Sequence, residues 1–428
     1  MTKDSGRSAL DVAALGVMAL TVGSLPVGNV SVGPLQLIQV MTALAVLTTL
    51  TVSVIQLRLP LLPWPVGLPL GAMGVSAALA TSGTPVPDVS LRINAAFAVG
   101  ALLVAAMWIV VDRASHLMLL ARVLVVAGAV VGVMSATSVD ELTTAAGGAI
   151  VRGRAVGVFA QPNELGVFTA MLLPVAIALA LARSGRQRLV ASLGAASLAS
   201  ALVLTLSRGA WFGAAVGVLV LLMQLPDRRR TAGTLAAGLA AMGAAAWLVA
   251  PPALATVVDQ RISSISSGPS ENPYDERSEI YAEASRQFTD APLTGHGPGA
   301  FTKTAHRLTQ DGYDLDIVHA HSLPLVVITE YGLIGALCGI ALALGLVHLL
   351  YRAWWQRRDH VTGVEREVAI VAAGLFAGLV AVLAHGMVDY PLRNPVAGTT
   401  AWLLLALAVA SVRCARRTSA TPAREDDA

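Results

Sequence analysis

Apolar runs long enough to cross a bilayer recur along this whole chain, and no other feature constrains its fold so tightly. Twelve can be marked, at about 9–27, 34–56, 62–82, 94–112, 116–138, 164–182, 189–207, 209–225, 232–250, 323–350, 367–388 and 395–412. Most are roughly 17 to 25 residues, the length a helix needs to span the hydrocarbon core. The runs are continuous rather than alternating, which favours helices over barrel strands, and lipid admits only those two. Charged residues make up 13% of the chain, about half the soluble norm of ~25%, so the core has to come from helices packing in lipid. The expected fold is an all-α polytopic membrane protein with about 12 transmembrane helices. The pair at 189–225 is the softest, because only Ser207-Arg208-Gly209 separates its halves.

Charge sets the expected orientation. With the N-terminus cytoplasmic, 18 of the 29 Lys and Arg fall in segments on that side, including Arg58, Arg113, Arg183, Arg186, Arg188, Arg352 and Arg413, as the positive-inside rule requires. An even number of spans then puts both termini in the cytoplasm. The expected division is residues 1–250 with nine spans, a large external loop at 251–322 containing short helices, spans ten to twelve at 323–412, and a cytoplasmic tail at 413–428. A second long external segment covers about 139–163. Loops beyond about 15 residues are usually functional or disordered. In the larger one Glu276 to Phe288 reads as an amphipathic helix and Pro292 to Phe301 as a tight glycine-rich turn. Cys338 and Cys414 carry neither a pairing nor a zinc pattern, and the first apolar run has no cleavage site, so it is read as a retained helix.

Several residues stand out against this background. His319 and His321 lie where the polar loop meets a span, and a neutral imidazole there can accept a proton near neutral pH. On a helix, residues two apart face different ways, so His319 is expected to point away from His321 and to be the runner-up base or a substrate contact. Arg208 between two apolar runs is a functional candidate, with snorkelling to headgroups as the bland reading. Arg152 and Arg154 run against the topology rule, which suggests an external anionic partner, although lipid phosphates would serve equally. Arg277 in Asp275-Glu-Arg-Ser-Glu279 reads by itself as a solvated helix face. Glu330, roughly 13 Å into a span at 1.5 Å per residue, needs a partner or a wet cavity. His385 and Asp389 are four apart and share a helix face, either orienting a site or packing as a pair.

The motifs carry a resemblance. His321-Ser322, nine residues, Gly332, two residues and Gly335 resemble the His-(Asn/Ser/Gln)-x9-Gly-x-x-Gly signature of the O-antigen ligase family, which also includes O-antigen polymerases and protein O-oligosaccharyltransferases. In matching order stand Gly153-Arg-Ala-Val-Gly-Val-Phe-Ala-Gln-Pro-Asn163, Ser207-Arg-Gly-Ala-Trp211, and Arg277 followed by Pro292 and Gly295-His-Gly-Pro-Gly299. The likeness covers about 150–340; the first five spans match only as hydrophobic helices.

The resemblance implies an inverting, metal-independent glycosyltransferase of lipopolysaccharide biosynthesis. It would move a glycan from undecaprenyl pyrophosphate to an acceptor such as lipid A-core on the periplasmic face of the bacterial inner membrane. His321 is then the catalytic base, Arg208, Arg277 and Arg154 hold the pyrophosphate, and His319, Arg152, Asn163, Glu330, His385 and Asp389 are secondary candidates. No cofactor, metal or nucleic acid is expected; the partners are the lipid-linked donor, the acceptor and membrane lipids. Chemistry permits the assignment: a glycosyl pyrophosphate already has a good leaving group, so the protein must supply a base and cations for the departing charge. Arginine suits the second task through its permanently charged bidentate fork. Asp314-Leu-Asp316 has the D-x-D form of metal-dependent transferases, but the first external loop, Val27 to Gly33, holds no acid, and the pair is not expected to bind a metal. A polymerase of the same family would need the same residues. A transporter or flippase for the same lipid would share the spans and arginines but would not need an imidazole at the membrane face.

Overall fold

The computed structural model describes residues 2–136, 139–140, 143–144, 150–151, 154–225, 229, 231–233, 277–305, 309–310, 313–314, 319–357, 361 and 363–418. In chain order the helices are α1 (Thr2–Gly23), α2 (Leu37–Ile55), α3 (Trp64–Ser82), α4 (Pro87–Val110), α5 (Ala114–Ser135), α6 (Pro162–Ala182), α7 (Gly185–Leu204) and α8 (Arg208–Gln224). They are followed by α9 (Arg277–Asp290), the short α10 (Phe301–Thr304), α11 (Leu323–Ala353), α12 (Gly363–Gly386) and α13 (Pro395–Thr418). Strands among the described residues are two-residue ribbons, one of which pairs Val139–Asp140 with Arg154–Ala155 antiparallel.

Among the described residues nine helices, α2 to α7 and α11 to α13, are long and apolar enough to cross a membrane, and α1 and α8 add the shorter apolar stretches Ala9–Gly23 and Arg208–Gln224. The chain is a multi-pass membrane protein. Eleven of the twelve expected runs are helices, and the run at 232–250 lies outside the described residues from 234 onward. The soft pair at 189–225 does divide: Leu206 takes a positive φ of 52°, and the Ser207 hydroxyl accepts the Ala210 N–H at 3.4 Å to cap α8.

α6 is the axis of the bundle, buried along most of its length. α12 is wedged between α6 and α8, and glycines let the backbones close up: a Cβ on Gly213 would meet the Ala381 carbonyl at 2.6 Å, and one on Gly378 would strike the Met171 carbonyl. Lipid offers no hydrophobic force between helices, so such close contact supplies the packing.

α11 carries the one irregularity that shapes the site. At Gly332 (φ 63°, ψ −165°) the backbone leaves the helix for a region essentially reserved for glycine. The turn at 292–297 fills the break. His296 and Gly297 donate their N–H groups to the Thr329 and Glu330 carbonyls, both at 2.9 Å, while Leu333 and Ile334 donate to the Pro292 and Leu293 carbonyls at 2.8 and 3.1 Å. A helix break at membrane depth survives only when the freed groups are satisfied in this way. α9, the amphipathic helix expected from Glu276 to Phe288, docks beside it through Ile280 and Ala284 against Phe301, Ala320 and Val326.

Candidate functional site

Three connections converge at one end of the bundle: the entry to α6, the entry to α11, and the segment 387–394 between α12 and α13. His321 precedes α11 and has a left-handed φ of 47°, uncommon for a residue with a side chain although histidine is enriched there. Ser322 is already extended and begins α11. That kink overturns the expectation that His319 faces elsewhere. The rule of opposite facing holds on a helix, and these residues are not on one. The two imidazole centroids lie 4.3 Å apart, and the His319 ring also meets the Tyr390 ring, tilted by 55°, at 5.8 Å between centroids.

Asp389 is the hub. His321 Nδ1 stands 3.6 Å from its Oδ1 and His385 Nε2 3.9 Å from its Oδ2; Asn163 Nδ2 donates to Oδ2 at 2.6 Å and the Tyr390 N–H to Oδ1 at 2.7 Å. The pair His385 and Asp389 is therefore not a packing pair alone, since the carboxylate also reaches across to α6 and to His321. Burial works against ionisation of Asp389, but the His321 and His385 imidazoles beside it and the Tyr390 N–H outweigh it and hold the carboxyl well below the usual range. His319 is lowered from 6.5 to about 4, first by burial, then by the repulsion a proton on it would meet from His321 when that ring is also protonated and from Arg393, with Asp389 partly opposing. It stays neutral at neutral pH.

The network continues into the arginine segment. Asn163 Oδ1 accepts from Arg154 Nη2 at 3.2 Å, and Arg154 Nε donates to the Thr205 carbonyl at 2.8 Å, so the buried Arg154 ties the entry to α6 to the turn before α8. Arg208 opens α8 and is exposed. Its neighbour Gly209 packs on Val388 and His385, where a Cβ would come within 2.8 Å of Val388, which puts Arg208 on the rim of the same cluster. Arg277 is the first residue of α9, with its side chain outside the described residues, as are Arg152 and the DxD residue Asp316. Glu330 does not join the cluster directly: it is buried and takes the Gly299 N–H, serving the inserted turn.

Sequence reasoning missed Tyr390, Glu164 and Asn394. Glu164 accepts from the Ala160 N–H and from Asn394 Nδ2, at 3.2 and 3.1 Å, and Asn394 Oδ1 caps the start of α13 by taking the Val396 N–H at 2.9 Å. The signal was the short polar interruption Asp389-Tyr-Pro-Leu-Arg-Asn394 between two apolar runs, costly in lipid unless it is used.

The arrangement can do two things chemically. With Nδ1 facing the carboxylate, His321 carries its proton there and leaves the Nε2 lone pair free to accept one. Ligand-capable atoms of His319, His321 and Asp389 also lie within 4.8 Å of one another, a spacing a cation could bridge, although both Asp389 oxygens already accept hydrogen bonds. In comparison with known proteins, residues 193–340 match the family model described as O-Antigen ligase, a stretch running from α7 through His321 to Gly332 and Gly335. No curated protein matches the chain.

Proposed function

We propose, from the match of residues 193–340 to the family model described as O-Antigen ligase, that this chain is a glycosyltransferase of the ligase or polymerase type that transfers a glycan with inversion and without a metal. The donor is a glycan on undecaprenyl pyrophosphate, the acceptor a hydroxyl such as that of lipid A-core, and the reaction runs on the periplasmic face of the inner membrane. The observation that carries the reading is the pairing of His321 with Asp389 at the entry to α11.

The acceptor hydroxyl gives its proton to Nε2 of His321 while its oxygen bonds to the anomeric carbon. The bond from that carbon to the pyrophosphate oxygen breaks on the opposite face, and the electron pair leaves with the pyrophosphate. Asp389 keeps the imidazole in the useful tautomer and balances the imidazolium that forms, as a carboxylate behind a catalytic histidine does. Arg208 on the rim, together with Arg277 from the large loop, binds the leaving phosphates; Arg154 shapes the wall from behind and Asn163 passes its orientation to Asp389. His319, kept neutral by burial and by its neighbours' charge, avoids adding a second cation beside the imidazolium. A metal at His319, His321 and Asp389 would occupy the base, and the arginines supply the positive charge a metal would otherwise bring.

Purified protein given a polyprenyl-pyrophosphate-linked glycan and candidate acceptors tests the reading. Transfer should persist in EDTA and should not rise when a divalent ion is restored. A single glycan added per acceptor identifies a ligase and a growing chain a polymerase. No transfer to any hydroxyl acceptor, or activity that appears only with a divalent ion, would refute it.

A further inference from the structure

At the end of the bundle opposite the histidines, a cavity of about 240 Å³ opens between α5, the end of α6 and the start of α7. Arg122, Arg183 and Arg186 meet Val125, Leu179 and Val190 in its lining. Arg183 bridges Glu367 of α12 through Nη1 at 2.9 Å, yet its Nε is buried without a hydrogen-bond partner. Arg122 donates Nε to the Met118 carbonyl one turn back, at 2.8 Å, and Arg186 is exposed. Glu367 offsets one of the three guanidiniums, so positive charge is left over beside an apolar wall. The wall runs on toward the other end of the bundle. Val126, Val130 and Val133 on α5 and Leu193 on α7 are exposed, and the three valines share one helix face by their spacing.

We propose that this cavity binds an anionic glycerophospholipid of the surrounding leaflet. Its phosphate sits among Arg122, Arg183 and Arg186, and an acyl chain lies along the valine track. Charge selects the headgroup, since a zwitterionic lipid brings its own cation to a site already positive, and basic pockets between spans recognise anionic headgroups in this way. A soluble anion would use the arginines and leave the apolar wall unused. Long arginine stems reaching from within α5 to the headgroup level fit the same geometry.

Native mass spectrometry of the purified full chain, with dioleoylphosphatidylglycerol or dioleoylphosphatidylcholine added to the detergent, tests this without any transfer assay. Phosphatidylglycerol should add as one retained lipid and phosphatidylcholine should not. The double variant Arg122→Gln/Arg186→Gln should weaken that adduct by about 30-fold, at roughly tenfold or less per arginine near a headgroup, while the Arg188→Gln control leaves it unchanged; Arg183 is kept so that its bridge to Glu367 holds. Should the double variant lose its helicity, the wild-type protein decides by competition, in which millimolar inorganic phosphate should leave the lipid in place. Equal retention of both lipids, displacement by phosphate, or an unchanged adduct in a folded double variant would overturn the proposal.

Discussion

His321 is held in a backbone conformation that costs about 1–3 kcal/mol for a residue with a side chain, and the cost aims its ring at Asp389 and sets it beside His319. Asp389→Asn should leave the fold intact and cut turnover by more than it changes donor affinity, because an amide can hold the imidazole in the wrong tautomer; equal turnover would detach Asp389 from the reaction. His319 makes a prediction about stability. Its native form takes a proton only below about pH 4, whereas 6.5 is the ordinary value, so the unfolded chain binds the proton first as acid is added. Stability should fall as pH drops from about 6.5 to 4, by on the order of 3 kcal/mol, and His319→Gln should remove that part of the loss. Thermal midpoints in detergent across this window measure it, and parallel curves for the two proteins would contradict it. Arg208→Lys keeps charge but loses the bidentate fork, so donor use should drop sharply in a folded protein. Near-normal donor use would make Arg208 a headgroup anchor. At this scale the sequence exposed His321, Arg208 and the pair His385 and Asp389, because charged groups beside apolar runs are conspicuous. It hid the side chains' directions: His319 was read by helix geometry, and the left-handed kink that brings it round leaves no mark in composition.

Among the elements, α11 carries the sharpest lesson. Its run at 323–350 reads as one uninterrupted helix, and the break at Gly332 is filled by the glycine-rich turn some 35 residues upstream. A lone glycine in an apolar run does not announce such an insertion. The two glycines of the Gly-x-x-Gly pair therefore have structural work: Gly332 sits at positive φ with the Leu293 carbonyl where a Cβ would go, and Gly335 abuts Tyr331. Gly332→Ala should destabilise the protein by more than 2 kcal/mol, from a forbidden φ combined with a backbone clash, and should loosen α9 with it. Protease resistance and helicity in detergent would report this; a Gly332→Ala protein as stable as wild type would mean that the turn does not dock as described. The spans themselves were legible because length and continuity suffice to recognise a helix in lipid. Their partners were not: Asn163 meets Asp389 across 226 residues and Glu164 meets Asn394 across 230, and no local pattern tells which residues so far apart will meet.

Over the whole molecule, the ends of the bundle differ in charge and in use. One end gathers the entries to α6 and α11, the turn before α8 and the segment 387–394 around Asp389. The other bears Arg58, Arg113, Arg183, Arg186, Arg188 and Arg352. We propose from the positive-inside rule that the histidine end faces outward and the termini face the cytoplasm. Cysteines introduced at the exposed Lys303 and Arg188, in a chain whose Cys338 and Cys414 are replaced by serine, should react with an impermeant thiol reagent on intact cells only at 303; equal labelling would reverse or void the orientation. The central claim is narrower: a proton passes to His321 while the arginines hold the donor. The most direct measurement compares turnover of His321→Ala and His319→Ala with wild type on the same lipid-linked donor, alongside donor binding. The account predicts a loss of about 10²–10⁴ in turnover for His321→Ala with donor binding retained, and a smaller loss for His319→Ala. Wild-type transfer by His321→Ala with activity abolished in His319→Ala would contradict it.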